Sequence, residues 1–581
     1  MDMMTRIASL VSQTLKDTWP EAAGLPTAEE IRSLLAVPPD PAMGDYAFPV
    51  FRLAKALRMA PPMIAKTVAD AWQHGYEARV EAVNGYLNFF LNRVSFAEET
   101  VNAVLKAEGQ YGASDMGDGK TICLDYSSIN IAKRFHIGHL STTMIGHSLR
   151  RIYDHLGYKT VGINHLGDWG TQFGKMICAY KKWGSKDAVE QGGIDELVRL
   201  YVKFHEEAEK EPALEDEGRA WFKKIEDGDP EALALWNWFK ELTLRDADRV
   251  YKLLGVTFDS YAGESFYNDK MGRVIDELKQ KGLLTISNGA SVVDLTERDA
   301  NGKETKNSMP PCIILRSDGA TLYATRDLAA ALYRHDTYHF DKCLYVVAYQ
   351  QDLHFRQIFK VLEKMGYDWA KDCVHVAFGM ISYEGQALST RKGHVVYLDD
   401  LLQQAQEKAL EIIETKSPEL PEKENVARQV GIGAVVYADL SNNRIKDIDF
   451  SWDRVLNFDG ETGPYVQYTH VRCCSVLRKA AELTLPEPDW NALTDDEAQA
   501  CLRLIGRFQD VIREAADKYE PSMITRAVTD IAQSYNKFYY EHRILDDAPG
   551  AIAARLALTT AVRDVIKTGL YLIGIEAPER M

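Results

Sequence analysis

The stretch that decides the fold is KTICLDYSSINIAKRFHIGHLSTTMIGHSLRRIYDHLGYKTVGINHLG, Lys120–Gly167. Its first nine residues, KTICLDYSS, are β-rich and apolar. From His136 onward, apolar residues recur at Leu140, Met144, Ile145, Leu149, Ile152 and Leu156, the period of a helix closed by Gly157. YKTVGINHLG then reads as a second strand. Strand, helix and strand in about 45 residues make a βαβ unit, and such a unit predicts a parallel, doubly wound sheet.

Working outward, residues 1–115 read as a small α+β domain. A helical start is followed by the proline-rich VPPDPAMGDYAF, a helix-like run FRLAKALRMAPPMIAKTVADAW and a strand pair in EARVEAVNGYLNFFLN. Residues 116–424 read as the sheet domain, interrupted at about 176–295 by a charged helical insertion. The charged, proline-containing ETKSPELPEKENV, Glu414–Val426, reads as a linker. Residues 425–581 read as an all-helical bundle.

Bulk properties narrow the class. The chain has 581 residues, 46% of them apolar and 26% charged, enough for several ordinary globular domains. No run approaches the length of a membrane span, and the first residues show no signal-peptide pattern. The eight cysteines have no CxxC spacing, which argues against a zinc knuckle or a disulfide framework and fits a reducing cytoplasm. A net charge of −17 disfavours nucleic-acid binding as a bulk property, without excluding a local site.

Nucleotide signatures come next. SDMGDGKT resembles a P-loop, but Ser114 replaces its first glycine and it precedes the strand; no GxGxxG follows a strand either. At the start of the decisive helix, His136 and His139 stand three apart on one face. Gly138 lies between them and Lys133 just upstream. A helix N-terminus is a ready anion site, and glycine admits a flat ring close to the backbone. The combination suits a polyphosphate with a stacked base. A zinc reading lacks a third ligand, and the same two histidines are also read simply as partly buried helix residues.

SSINIAKRFHIGHL followed by VGINHLGDWGTQFGKMI resembles the class I aminoacyl-tRNA synthetases, and within them the arginyl-tRNA synthetases. HIGH, the class motif, stands verbatim at His136–His139. The resemblance continues through TLYATRDLA, YVVAYQQDLHF, LSTRKG with VVYLDDLL, NFDGETGPYVQYTHVRCCSVLRKA and the terminal ERM. It implies a Rossmann-like catalytic domain between an N-terminal tRNA-contacting domain and a C-terminal anticodon-binding bundle. It implies activation of L-arginine by ATP with Mg²⁺, no dedicated protein metal site, and transfer to tRNA-Arg by a cytoplasmic monomer. Activation that depends on bound tRNA is a further implied trait.

Activation is attack of a carboxylate oxygen on the α-phosphate of ATP. The nucleophile is already an anion, so the site must supply placement and charge stabilisation rather than a base. The resemblance assigns catalysis to His136, His139 and Lys133, and ATP binding also to Gly138, Leu388, Ser389 and Lys392. The second class signature, KMSKS, is altered here: Thr390 replaces its second lysine, and Lys133, Arg391 and Lys392 are the candidate substitutes, Lys133 foremost. For arginine the resemblance points to Asp125, a glutamate in many relatives, with Asn130, Tyr323, Asp327 and Gln351. Spacing agrees, since Tyr323 and Asp327 share a helix face and Asp125 and Gln351 follow strands; an isolated Arg326-Asp327 pair reads equally as a local ion pair.

For tRNA, Tyr465, Tyr468 and Arg472 form a helix stripe opened by Gly463 and Pro464, suited either to stacking on splayed bases or to packing. Tyr539, Met581, Asn84 and Asn88 match further tRNA-contacting positions of the family, although asparagine is also a turn residue. Cations and carboxylates balance around the 463–479 helix, so no phosphate-binding field is legible there. Two other readings stand beside this one: a tRNA-independent HIGH-type activating enzyme, and a non-catalytic tRNA-binding paralogue.

Overall fold

The computed structural model describes residues 3–131, 133–299, 301, 303–387, 396–457 and 460–581. The N-terminal unit runs α1 (Met3–Thr18), α2 (Ala28–Leu34), β1 (Tyr46–Pro49), α3 (Leu53–Leu57), α4 (Pro61–Ala71), β2 (Ala78–Val83), β3 (Tyr86–Leu91) and α5 (Arg93–Lys106). Its sheet is antiparallel, with β3 between β1 and β2. The helix-like run breaks in two because Pro61 and Pro62 open α4 rather than continue α3. Asn84 (φ +49°) and Gly85 (φ +85°) make the two-residue β2–β3 turn, a conformation these residues adopt at least cost.

The sheet domain begins with β4 (Thr121–Asp125), α6 (Leu140–His155) and β5 (Lys159–Ile163), which is the predicted βαβ unit. A helical excursion follows: α7 (Thr171–Trp183), α8 (Lys186–Lys210), α9 (Ala213–Glu226), α10 (Pro230–Leu254) and α11 (Met271–Gln280). A small antiparallel sheet, β6 (Leu284–Ser287), β7 (Ala290–Val293) and β8 (Cys312–Leu315), separates it from α12 (Tyr323–Tyr338). The chain then returns through β9 (Lys342–Tyr345), α13 (Asp352–Lys364) and β10 (Cys373–His375). The main sheet has order β10-β9-β4-β5 and is parallel throughout. Succession runs outward from β4 to β5 on one side and from β9 to β10 on the other. The carboxyl ends of β4 and β9 therefore flank the point where strand order reverses, where open α/β sheets bind ligands.

After β11 (Ile381–Tyr383) and β12 (Gln386–Ala387), α14 (Leu398–Lys416) leads to the last unit: α15 (Lys423–Leu440), β13 (Ile448–Phe450), α16 (Trp452–Val455), α17 (Gly463–Lys479), α18 (Asp496–Lys518), α19 (Ser522–Glu541) and α20 (Pro549–Leu572). The all-helical expectation for 425–581 needs one correction. β13 returns to pair in parallel with β11, a three-residue strand too short for its periodicity to register. One continuous apolar core joins the N-terminal unit, the main sheet and the bundle.

Candidate active site

His136 and His139 sit on the turn that leads into α6. Residues 137–139 form a 3₁₀ turn before the α-helix begins at Leu140. The amide of Gly138 donates to His136 Nδ1 at 3.1 Å, and the amide of His136 donates to His139 Nδ1 at 3.3 Å. Each ring thus accepts at Nδ1, which assigns the proton to Nε2 in both. The rings lie 4.0 Å apart. Burial, reinforced by Lys133, holds His136 down to about 4. Burial, then His136, takes His139 to about 3. At neutral pH the pair is two uncharged N–H donors beside a helix N-terminus. Cationic stabilisation must come from elsewhere, and Lys133 is exposed beside them.

The HIGH turn is clasped from outside. Ile137 N donates to Val396 O at 2.9 Å, Leu398 N to Phe135 O at 2.9 Å, and His136 bridges Tyr397. Arg134 lies over the Tyr397 ring and pairs with Asp399 at 2.9 Å. The carboxyl flank of the altered second signature is therefore bonded to the first. Leu388, Ser389 and Lys392, with Thr390 and Arg391, lie outside the described residues.

The residues expected to hold arginine divide. Asp327, one turn into α12, accepts from His354 Nε2 at 2.6 Å, and His165 Nε2 stands 4.0 Å from its other oxygen. Arg326 turns instead to Glu264 and Asn268, so the local Arg326–Asp327 pair is not formed. Tyr323 is 61% exposed, with its ring 5.2 Å from that of His354. Gln351 is exposed at the start of α13, after β9. Asn130 is exposed where its backbone bridges Gly167, at the carboxyl ends of β4 and β5.

Asp125 faces inward. It is 6% exposed, and both carboxylate oxygens are engaged: one accepts from Arg334 Nη2 at 2.7 Å, the other from Ser128 Oγ at 2.8 Å. Arg334 is itself 1% exposed. The guanidinium Asp125 faces belongs to the protein, because α12 lays Arg334 against the end of β4. Arg334 in turn reaches His165 Nδ1 at 3.4 Å, which leaves the His165 proton on Nε2, toward Asp327. His165, His354 and Arg334 were not singled out from the sequence. The first two lie inside quoted motifs, but their partners are more than 20 residues away in the chain.

On the bundle, Tyr465, Tyr468 and Arg472 share one face of α17. The Arg472 guanidinium lies between the rings of Tyr468 and Tyr539, at 5.2 and 5.0 Å. Asn536 of α19 joins the group: it accepts from Arg472 and donates to Tyr465 Oη and Thr469 Oγ1, both at 2.9 Å. Tyr468 remains 45% exposed. Met581 packs in a separate apolar cluster with Ala409, Ile413 and Val430. Asn84 is the hairpin turn residue, and Asn88 is buried in mid-strand between Ala47 and Glu81; burial withdraws its side chain from an outside contact.

Three families of domain match this chain: tRNA synthetases class I (R), catalytic domain, over residues 100–452; the DALR anticodon binding domain over 466–581; and the arginyl tRNA synthetase N terminal domain over 5–91. The arginine–tRNA ligase of Alkaliphilus metalliredigens is 54% identical over 554 residues, covering 95% of this chain and 96% of that protein. That of Clostridium botulinum (strain Alaska E43) is 51% identical over 582 residues, covering 100% of both. Among solved structures, Thermus thermophilus arginyl-tRNA synthetase superposes with a TM-score of 0.81 at 25% identity, covering 99% of each chain.

Proposed function

The chain belongs to the arginyl-tRNA synthetase family, it is an enzyme that ligates arginine to tRNA, and from that premise we propose how its residues divide the work. His136 and His139 donate Nε2–H hydrogen bonds to ATP phosphate oxygens, assisted by the N-terminus of α6. The observation that carries this is the pair of ring nitrogens whose Nδ1 atoms are already taken by backbone amides. Lys133 supplies the positive charge that the neutral rings lack. Gly138 leaves room for the nucleotide, and Leu388, Ser389 and Lys392 are assigned to the nucleotide from the motif alone.

Asp327 receives the substrate guanidinium, with Tyr323 over it and Asn130 and Gln351 at the amino-acid end. A carboxylate already oriented by His354 suits the planar fork of arginine better than a point charge. One arginine carboxylate oxygen then attacks the α-phosphorus and pyrophosphate departs with its electron pair. In the second step a hydroxyl of the 3′-terminal adenosine of tRNA attacks the adenylate carbonyl carbon, and AMP leaves. Among the described residues, the acidic and histidine side chains that converge on one point are Asp495, Glu497 and His542, at the start of α18 rather than at HIGH. Mg²⁺ enters with ATP, as the resemblance implies.

Tyr465, Tyr468, Arg472 and Tyr539 stack on anticodon bases of tRNA-Arg. Met581 and Asn84 retain a tRNA role on resemblance alone, and buried Asn88 is left to the packing of its sheet. The functioning unit is taken as a monomer, as the resemblance implies. All eight cysteines are unpaired and buried, which suits the cytoplasm. The test is pyrophosphate exchange with each of the twenty amino acids, with and without tRNA. Exchange with arginine that appears on adding tRNA supports the whole reading. Arginine exchange without tRNA supports the chemistry and removes the coupling. Silence with all twenty removes the catalytic assignment.

A further inference from the structure

The three residues after His139 and Leu140 are Ser141, Thr142 and Thr143, all buried in the first turn of α6. Thr142 Oγ1 donates to Val346 O at 2.7 Å, and Thr143 Oγ1 reaches Ser127 Oγ at 2.9 Å and His139 O at 2.7 Å. These hold the turn to the main sheet domain. Ser141 points the other way. Its Oγ donates to Asp439 Oδ1 at 2.6 Å, and Asp439 belongs to the last turn of α15, in the bundle.

Asp439 is an unusual residue to bury. It is 6% exposed, its second oxygen has no hydrogen-bond partner, and no ion pair reaches it among the described residues. Burial pushes it up to about 7, against the pull of the Ser141 hydrogen bond. Such a group is costly unless something holds it in place. Other bundle contacts to α6 fall further along the helix: Ser148 Oγ to Leu572 O at 2.9 Å, Arg151 to Tyr571 O at 2.7 Å, and Tyr153 Oη to Ala516 O at 2.9 Å. Among the described residues, the Ser141–Asp439 bond is the bundle hydrogen bond at the histidine end.

The other side of α15 is fixed as firmly. Gly433 and Gly463 bring α15 and α17 into backbone contact: a Cβ on Gly463 would stand 2.9 Å from Gly433 O. Gln467 of α17 donates to Gln429 O at 3.1 Å, and Thr525 of α19 donates to Leu440 O at 3.0 Å. The same α17 carries Tyr465, Tyr468 and Arg472.

We infer that Asp439 is a positioning residue for the two histidines: held rigidly by the bundle, it fixes the first turn of α6 through Ser141. This rests on the assignment of His136 and His139 to ATP. The phosphate-binding end of the catalytic helix is thereby referenced to α15, and through it to the helix that faces the anticodon. A carboxylate at this position also lies at the N-terminus of α6, where the helix dipole favours an acceptor.

The test uses the full chain in aminoacylation assays, with variants D439A, S141A, the double D439A/S141A, D439N and H136A. Displacing a catalytic group by about 1 Å costs on the order of 100-fold, so D439A and S141A each lower kcat by roughly 10- to 100-fold. KM for arginine stays within about twofold of wild type, because its guanidinium partners Asp327 and Tyr323 lie on α12. The double variant is no slower than the worse single one, since both remove one shared bond. D439N restores kcat, because its amide oxygen still accepts from Ser141.

Wild-type kcat in D439A or S141A overturns the inference, as does additivity in the double variant or a D439N as slow as D439A. If D439A does not fold, S141A and D439N still decide the matter, with melting curves as the control. H136A separates the two levels. A crippled H136A beside a normal S141A refutes only the positioning role, whereas a normal H136A refutes the assignment beneath it.

Discussion

Replacing Asp125 with asparagine separates a substrate ligand from an internal counter-ion. In the structure its Oδ2 holds Arg334 at 2.7 Å, and Arg334 is 1% exposed. Arg334 Nε and Nη1 already lack hydrogen-bond partners, so the carboxylate is the principal compensation for a buried cation. Removing one partner of such a pair costs about 3–5 kcal/mol, because the other charge stays buried. An asparagine oxygen still accepts from Nη2, which places D125N near the lower end, about 3 kcal/mol. At ~2–4 °C per kcal/mol for domains of this order, melting falls by about 6–12 °C. KM for arginine stays within about threefold. Thermal melting monitored by circular dichroism, with steady-state kinetics below the transition, measures both. D125N/R334M, which replaces the pair by an amide and an apolar chain, recovers most of the loss. A D125N that melts like wild type while KM for arginine rises 30-fold or more, on the order of 2 kcal/mol, refutes the reasoning and returns Asp125 to the substrate.

Three further outcomes are expected. D327N removes the partly exposed carboxylate assigned to the substrate guanidinium; losing about 2–3 kcal/mol lowers kcat/KM for arginine roughly 30- to 150-fold with little change in melting, and an unchanged value rejects the assignment. N536A frees Arg472, Tyr465 and Thr469 together, so KM for tRNA rises about 10-fold while KM for ATP is unaffected, checked by aminoacylation at varied tRNA. His136 and His139 are held below the usual histidine value, to about 4 and about 3. The unfolded chain therefore binds more protons between those values and about 6.5, and stability falls as pH drops through that window. H136N and H139N each flatten that fall in melting temperature between pH 4 and 6.5; an equally steep fall in both places the titration on other groups.

The local half of this protein was legible from the chain. Leu140 to Leu156 on a helical period between two apolar strands specify a βαβ unit, since period and turn residues are properties of neighbours in sequence. The histidines beside the helix start and the aromatic stripe Tyr465, Tyr468, Arg472 follow from the same short-range geometry. What the sequence could not decide was which groups partner across the fold. Asp125 reads as a free carboxylate at a strand end until α12 brings Arg334, 209 residues away, against it. Asp327 reads as the mate of Arg326 until α13 delivers His354. Ser141 carries no signal in the sequence, and its partner Asp439 arrives on α15, 298 residues on. β13 is three residues long, too short to carry a period, and exists because β11 is there to pair with it. Sequence determines the elements and the chemistry each one carries; only tertiary packing decides which of those groups are consumed inside the protein and which are left for a substrate. A buried charge or polar atom must find its compensation wherever the chain brings one, at any separation in sequence.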